Sequence, residues 1–434
     1  MTDIRPRRGW VLPTFAVAGV MGVALGRFAL AGGGGAPVAT PRPAATTEAA
    51  VAGLQARLGA SPDDPVLLTR LGEAYLLRAR ETADPSYFTR AAQALDRSQA
   101  LAPDRPATLT GLGLLALSRH DFPAALELGR RAHALDPSSA PPLGVMADAH
   151  VELGRYDDAA ETIQQMLDRR PSLASLSRAS YLRELRGDVP GAVTAMTQAA
   201  IAGAGSAPGD VAYVETLLGD LHLGAGRLAE AESAYRRALG RADAPAAEVG
   251  LARVAAARGD LAGAGTLLEE VTARLPQPAW LALLGDVQAA LGRTAGAAAT
   301  YDLVRQVEAL NREAGVAVDL ELARFEADHA SAVAVPMATA ARDARPTVYA
   351  DDTLGWALRQ AGRPAEALPF AQAAVRLGTA DAVLWYHLAA VEADLGKLDD
   401  ARAHLDRALS TNPYLTVRDL PAALDLAARL GLPA

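Results

Sequence analysis

Apolar side chains recur along this chain at the spacing that places them on one face of a helix, in segments separated by short turns. Most turns contain a glycine followed by a charged or polar residue, with an alanine five positions after the glycine, and most steps between successive turns are 33 or 34 residues. The turn glycines are Gly154, Gly187, Gly226, Gly259, Gly292, Gly362 and Gly396, with His120 and His329 in equivalent positions. Because glycine can adopt a positive φ, the pattern predicts antiparallel helix pairs repeated along the chain, which form a solenoid.

Small residues mark where the two helices of a pair approach each other. On the first helices they are Gly72, Gly113, Ala147, Ser180, Gly219, Ala252, Gly285, Gly355 and Ala389. Many second helices end at a proline, because proline cannot continue a helix. These prolines are Pro103, Pro137, Pro171, Pro276, Pro346 and Pro413. The coincidence of three signals in so many units supports the repeated helix pair.

This pattern resembles the tetratricopeptide repeat, whose first helix has the form W-x-x-L-G-x-x-Y and whose second has the form A-x-x-x-F/Y-x-x-A before a proline. The last unit fits nearly every position, with Trp385, Leu388, Ala389, Gly396, Ala401, Leu405, Ala408 and Pro413. The resemblance implies an all-α, right-handed superhelical solenoid of about ten helix pairs. It also implies that first helices line a concave groove in which a protein or peptide binds.

Irregular steps locate the exceptions to the repeat. One step stretches to 39 residues, and the Gly/Ala/Ser/Pro content of residues 202–210 predicts a surface loop there. The register is weak near residues 174–204 and 315–346. We expect residues 48–413 to form the solenoid and residues 414–434 to form a C-terminal capping helix, because the last apolar face of a solenoid has no neighbour.

The N-terminus is a different kind of sequence. Basic residues at Arg5, Arg7 and Arg8 precede an uncharged apolar stretch over 10–26, and residues 1–47 hold five Arg and one Asp. Residues 1–31 are therefore interpreted as a signal peptide or a transmembrane anchor, with the repeat domain outside the cytoplasm. A small-x-small site at 29–31 favours cleavage, whereas the length of the apolar stretch favours a retained anchor. Residues 32–47 are expected to be a flexible linker.

Composition narrows the classes of partner and of chemistry. The net charge of −8 makes nucleic acid an improbable partner. Cysteine is absent, which excludes disulfides, thiolate metal sites and a cysteine nucleophile. The seven histidines are spread over several units and form no H-x-x-x-H pair. We therefore expect no catalytic residue, no cofactor and no metal site, and we do not expect an enzyme.

The candidate partner-binding residues project inward from the first helices. Aromatic residues and arginine dominate binding hot spots, so the C-terminal units hold most of the candidates. The candidates are Tyr181, Tyr213, Asp220, Tyr349, Asp352, Trp356, Arg359 and Tyr386. Two interpretations stay open for the aromatic residues, which either anchor a peptide or fill space between adjacent repeats.

Two classes of function remain. The first is a membrane-tethered or secreted scaffold that binds an unidentified protein or peptide in the concave groove, touching the membrane only through an uncleaved N-terminal segment. The alternative is an accessory module of an envelope enzyme, or an enzyme whose site is built across repeats. A closed cavity in which titratable groups converge would favour the enzyme, and an open groove would favour the scaffold.

Overall fold

The computed structural model describes residues 46–317, 319–329 and 332–433. These residues form 22 helices and contain no β-strand. Ten antiparallel helix pairs follow one another along the chain, with one additional helix at each end. The prediction of an all-α solenoid of about ten pairs is confirmed.

Each pair has a first and a second helix. The first helices are α2 (Pro65–Thr82), α4 (Pro106–Ser118), α6 (Pro141–Glu152), α8 (Leu173–Leu185), α10 (Pro208–Gly224), α12 (Pro245–Ala257), α14 (Pro278–Ala290), α16 (Asp319–Asp328), α18 (Val348–Gln360) and α20 (Ala382–Asp394). The second helices are α3 (Ser86–Leu101), α5 (Phe122–Leu135), α7 (Tyr156–Arg169), α9 (Val189–Ala202), α11 (Leu228–Leu239), α13 (Leu261–Arg274), α15 (Thr294–Glu313), α17 (Ala334–Ala344), α19 (Pro364–Ala374) and α21 (Leu398–Thr411). The flanking helices are α1 (Thr47–Ala60) and α22 (Asp419–Leu430).

The turns within the pairs have the predicted backbone conformation. All seven turn glycines have positive φ, between 67° and 86°. His120 takes the same position at φ 60°. His329 does not, because its N–H continues the helical pattern by donating to the carbonyl oxygen of Phe325. The weak register predicted around this pair therefore corresponds to a real departure from the repeat.

The long step between the fourth and fifth pairs is accommodated differently from the prediction. Only residues 203–207 connect α9 to α10, and Pro208 begins α10. Proline is favourable at the first helical position because its missing N–H has no partner there in any case. The extra residues therefore lengthen α10, which has 17 residues, rather than forming a long loop.

First and second helices are buried in different ways. Every residue of α18 from Val348 to Leu358 is buried. On α7 the buried residues recur three or four positions apart, from Tyr156 to Leu167, which is one helix face. Helix α18 thus has protein on all sides, whereas α7 is buried along one face only.

The solenoid contacts itself five to six pairs further along the chain. Nδ1 of His120 lies 2.6 Å from the carbonyl oxygen of Ala317. The side-chain amide of Asn412 donates to the carbonyl oxygen of Leu223, 189 positions away. Inner residues of the early pairs and of the late pairs, such as Leu217 and Leu384, share one apolar cluster. The open concave groove expected from the sequence is therefore filled along this stretch by the chain itself.

The N-terminal segment 1–31 and most of the linker 32–47 lie outside the described residues. Within the part of the chain that the structure describes, no helix combines the length and the apolar character needed to cross a bilayer.

Candidate functional site

The eight predicted binding residues lie in the interior of the solenoid. Five are buried, with exposed fractions of 5% for Tyr181, 9% for Tyr349, 3% for Asp352, 4% for Trp356 and 3% for Tyr386. Tyr213, Asp220 and Arg359 are partly exposed. The sequence predicted that all eight line an accessible groove, and the structure differs from this expectation. Tyr181 and Tyr349 lie in an apolar cluster that early and late pairs share. Trp356 and Tyr386 are packed among neighbouring pairs and α22. Their role in binding stays a prediction.

The structure does bring the C-terminal candidates together. The ring of Trp356 stacks on the ring of His387, with centroids 3.8 Å apart and planes 10° apart. The Arg359 guanidinium lies 4.9 Å from the centroid of the Trp356 ring and forms an ion pair of 2.8 Å with Asp394. The other face of the cluster is held by Asp352, whose carboxylate lies 2.9 Å from Nδ1 of His387. These contacts make the cluster a packed junction between α18 and α20, in which Nε1 of Trp356 and Nε2 of His387 are buried without a hydrogen-bond partner among the described residues.

Acidic and phenolic side chains converge where α8 faces the C-terminal pairs. Burial raises the pKa of the Glu184 carboxyl well above its ordinary value, and the carboxyls of Asp220 and Asp381 raise it further. Burial also raises the pKa of the phenols of Tyr181 and Tyr349. This interior therefore favours the uncharged forms of its acids.

The carboxylate of Asp220 accepts hydrogen bonds from two side chains. The hydroxyl of Tyr235 donates to its carboxylate over 2.8 Å, and Arg253 donates to the same oxygen over 3.0 Å. Tyr235 fills the space above Gly219 and Gly250, where a Cβ would overlap its ring. The contacts hold the fifth and sixth pairs together.

Sequence reasoning missed the residue that joins distant pairs most directly. One Nη of Arg345 donates to Glu152 over 2.5 Å, and the other donates to Glu321 over 2.9 Å. Its guanidinium also lies 4.9 Å from the centroid of the Phe122 ring. Arg345 lies between two helix pairs, at a position to which the repeat assigns no particular residue, so no local signal could have identified it.

A second missed feature lies on the outer face, where the end of α9, the first turns of α10 and the end of α11 enclose a groove of about 750 Å³. Its apolar wall includes Ile201, which is 70% exposed, and Pro208. Arg237 and Arg241 stand at its other side. The one sequence signal for this groove was the stretched repeat itself, together with a bulky aliphatic residue beside it.

Two of the titratable groups in the interior are withdrawn from solvent. Asp352 and His387 are each 3% exposed, so a substrate cannot reach them in this arrangement. Among the described residues, no three His, Cys, Asp or Glu side chains are grouped as metal ligands would be. The described residues form an array of helix pairs whose outer face is exposed to solvent.

Two family models, both of the tetratricopeptide repeat, match the chain. One matches residues 116–181 and 222–287, and the other matches residues 86–140 and 353–416. The chain belongs to the tetratricopeptide repeat family. Its repeats extend beyond those ranges, since α2 to α21 form ten consecutive pairs.

Several solved structures resemble the chain distantly. A tetratricopeptide repeat protein from Parabacteroides merdae is 13% identical, with 60% of this chain and 92% of that chain covered and a TM-score of 0.41. A thermophilic tetratricopeptide repeat protein of Thermus thermophilus is 21% identical, with 39% and 91% covered and a TM-score of 0.35. The human IFIT1 dimer with PPP-AAAA is 15% identical, with 76% and 78% covered and a TM-score of 0.48. No curated protein matches the chain.

Proposed function

We propose that this tetratricopeptide repeat protein is a scaffold that binds a protein or peptide outside the cytoplasm. The observation that carries the scaffold role is that family repeats occupy the chain from α2 to α21. A helical array of this kind offers an extended surface on which other molecules assemble. The buried interior supports a stable framework rather than a reaction centre.

The location outside the cytoplasm rests on the N-terminal sequence. Arg5, Arg7 and Arg8 precede an apolar stretch, and residues 1–47 carry +4, from five Arg and one Asp, in a chain whose net charge is −8. Basic residues before an apolar segment favour retention of that end on the cytoplasmic side. The repeats would then be exported, with the segment either cleaved or kept as an anchor.

Affinity purification after chemical cross-linking in the native host tests the scaffold. We expect the full-length protein to capture a reproducible set of proteins that a control tetratricopeptide repeat protein with the same N-terminus does not capture. Recovery of the same proteins by both baits would contradict a specific scaffold.

Reporter fusions test the location separately. An alkaline phosphatase reporter, which is active only outside the cytoplasm, is fused after Thr47, and the same fusion lacking residues 2–31 serves as control. We expect activity from the first fusion alone. An inactive reporter in a fusion that accumulates as intact protein would show that the repeats stay in the cytoplasm, whatever the pull-down finds.

A further inference from the structure

We propose that the groove between α9, α10 and α11 binds an acidic peptide segment that carries one bulky apolar side chain. This inference rests on the scaffold role and names the chemistry of a partner. The groove is on the outer face, whereas the residues predicted from the sequence are in the interior, so the two sites are distinct.

The groove exists because the repeat is longer here. First helix α10 has 17 residues, whereas α12 and α14 have 13 each. The added turn begins at Pro208 and stands beside the end of α9, where Ile201 is 70% exposed. The resulting volume of about 750 Å³ lies within the range of roughly 300–1,000 Å³ that is usual for ligand sites.

The apolar side of the groove suits an anchor side chain. Ile201 is the most exposed of the large aliphatic residues in the described part of the chain. Ala204 and Pro208 extend this surface, and the buried side chains of Val211 and Leu218 lie behind it. An inserted Leu, Ile or Phe side chain would remove Ile201, Ala204 and Pro208 from water, which is how peptide anchors gain most of their affinity.

The other side of the groove carries three arginines, of which one has no ion-pair partner among the described carboxylates. Arg237 is already paired with Glu215, at 2.8 Å. Arg241 is exposed, and no described carboxylate lies within ion-pair distance of it. Arg236, which lines an adjoining depression of about 400 Å³, pairs with Glu232 but is largely exposed. A carboxylate that follows the anchor would complete a charge-assisted hydrogen bond with Arg241.

Charge also decides between possible occupants. Residues 1–47 of this chain are basic, at +4 from five Arg and one Asp, so that segment would bring like charge to the arginines. A groove lined by a free guanidinium and an aliphatic wall is complementary to an acidic, apolar sequence. The occupant is therefore a separate protein whose docking segment is acidic.

The test selects peptides from a random dodecapeptide phage library on the full-length protein, with the Ile201→Asp variant as the counter-selection target. We expect the selected peptides to carry a net negative charge and a bulky apolar residue. In fluorescence anisotropy, we expect Ile201→Asp and Arg241→Glu each to weaken binding of the synthesised peptides at least tenfold. Leu135→Asp, another exposed aliphatic at the end of a second helix, and Arg57→Glu should leave binding unchanged.

The alternatives give different results. Peptides that are neutral or basic, or that bind Ile201→Asp as well as the wild type, would refute the groove as the site. If the wild type dimerises in sedimentation velocity and Ile201→Asp does not, the occupant of the groove is a second copy of this chain. If a synthetic peptide of residues 1–45 binds the groove, the occupant is this chain's own N-terminus. Either result overturns the proposal. If no peptide binds while cross-linking still captures specific proteins, the groove proposal fails and the scaffold stands.

Discussion

The hydroxyl oxygen of Tyr156 accepts a hydrogen bond of 3.0 Å from the backbone N–H of Val348, which lies 192 positions further along the chain. Tyr156 begins α7 in the third pair, and Val348 begins α18 in the ninth. The first N–H groups of a helix have no partner within that helix, so the phenol satisfies a group that burial would otherwise leave unpaired. A side chain of one turn of the solenoid thus caps a helix of the next.

Replacing Tyr156 with Phe is expected to destabilise the fold while keeping the ring in place. The Val348 N–H would be left buried without its acceptor, at a cost of about 1–3 kcal/mol. The measurement is the midpoint of urea denaturation, together with hydrogen exchange at the Val348 amide, which should accelerate. Tyr301→Phe, which removes a 2.8 Å bond to Asp286 in the adjoining first helix, is the control and should leave exchange at Val348 unchanged. Unaltered exchange in Tyr156→Phe would contradict the capping role.

Gly154 is expected to tolerate alanine less well than other turn glycines. Its φ is 67°, which strains any other residue by about 1–2 kcal/mol. A Cβ at this position would also overlap the backbone carbonyl of Pro346 in the next turn of the solenoid, which cannot move aside cheaply. Gly362 has a φ of 73° and open space around its Cβ position, so Gly362→Ala carries the strain alone. We expect Gly154→Ala to be less stable than Gly362→Ala by about 1–3 kcal/mol in thermal denaturation. Equal losses of stability in the two variants would mean that position 154 and the Pro346 carbonyl are not in close steric contact.

Trp356 is expected to behave first as a core residue. It is 4% exposed and stacks on His387, so Trp356→Ala should lower the free energy of unfolding by about 3–5 kcal/mol. Arg359→Ala should cost about 0–1 kcal/mol, because its ion pair with Asp394 is partly solvated. Thermal denaturation of each variant, followed by partner capture at a temperature where both are folded, separates packing from binding. Loss of partner capture by folded Arg359→Ala would support the prediction that Trp356 and Arg359 bind a partner in the concave groove. Normal capture by both variants would exclude that prediction.

Stability is expected to depend on pH through Asp381. Burial raises the pKa of this carboxyl to about 6, although Arg324 opposes the shift. Because the unfolded value is about 4, the folded state binds this proton more tightly, and stability falls as pH rises from about 4 to about 6. Asp381→Asn removes this titration and retains a side chain that caps α20 well.

The measurement for Asp381 is the difference in unfolding free energy between variant and wild type at pH 4, 5, 6 and 7. We expect the variant to gain up to about 3 kcal/mol relative to wild type between the two ends of this range. Glu321, whose pKa is lowered to about 2 in the folded state, does not affect the comparison, because it is common to both proteins and its contribution cancels in the difference. A constant difference across the range would show that Asp381 titrates normally.

The sequence predicted those parts of the fold that depend on neighbouring residues. The glycine at position 154 and its equivalents indicated turns with positive φ, and the seven glycines all have it. The stretched repeat indicated an irregularity beside Ile201, although it was assigned to a loop rather than to a longer helix. His329 was misplaced because its equivalence to a turn glycine rested on spacing alone, whereas its N–H continues a helix.

The candidate site shows which features the local sequence pattern predicts and which it does not. Inward-facing positions such as Tyr349 and Trp356 could be identified from the repeat, because a helix fixes which residues share a face. Whether those positions face solvent depends on how far successive pairs rotate, and small rotations accumulate over six pairs. Arg345, which joins Glu152 to Glu321, and the burial of Tyr349 in a cluster shared by early and late pairs both follow from that accumulated geometry.

The sequence by itself thus determined the helix pairs, their turns and the family, because each of these is encoded within about 34 residues. Only the tertiary structure decided that the pairs meet again after about 190 residues, so that the inner helices are buried and the outer face carries the accessible groove. The physical reason is that a repeat encodes the packing of adjacent pairs, whereas contact between distant pairs depends on the sum of many such packings.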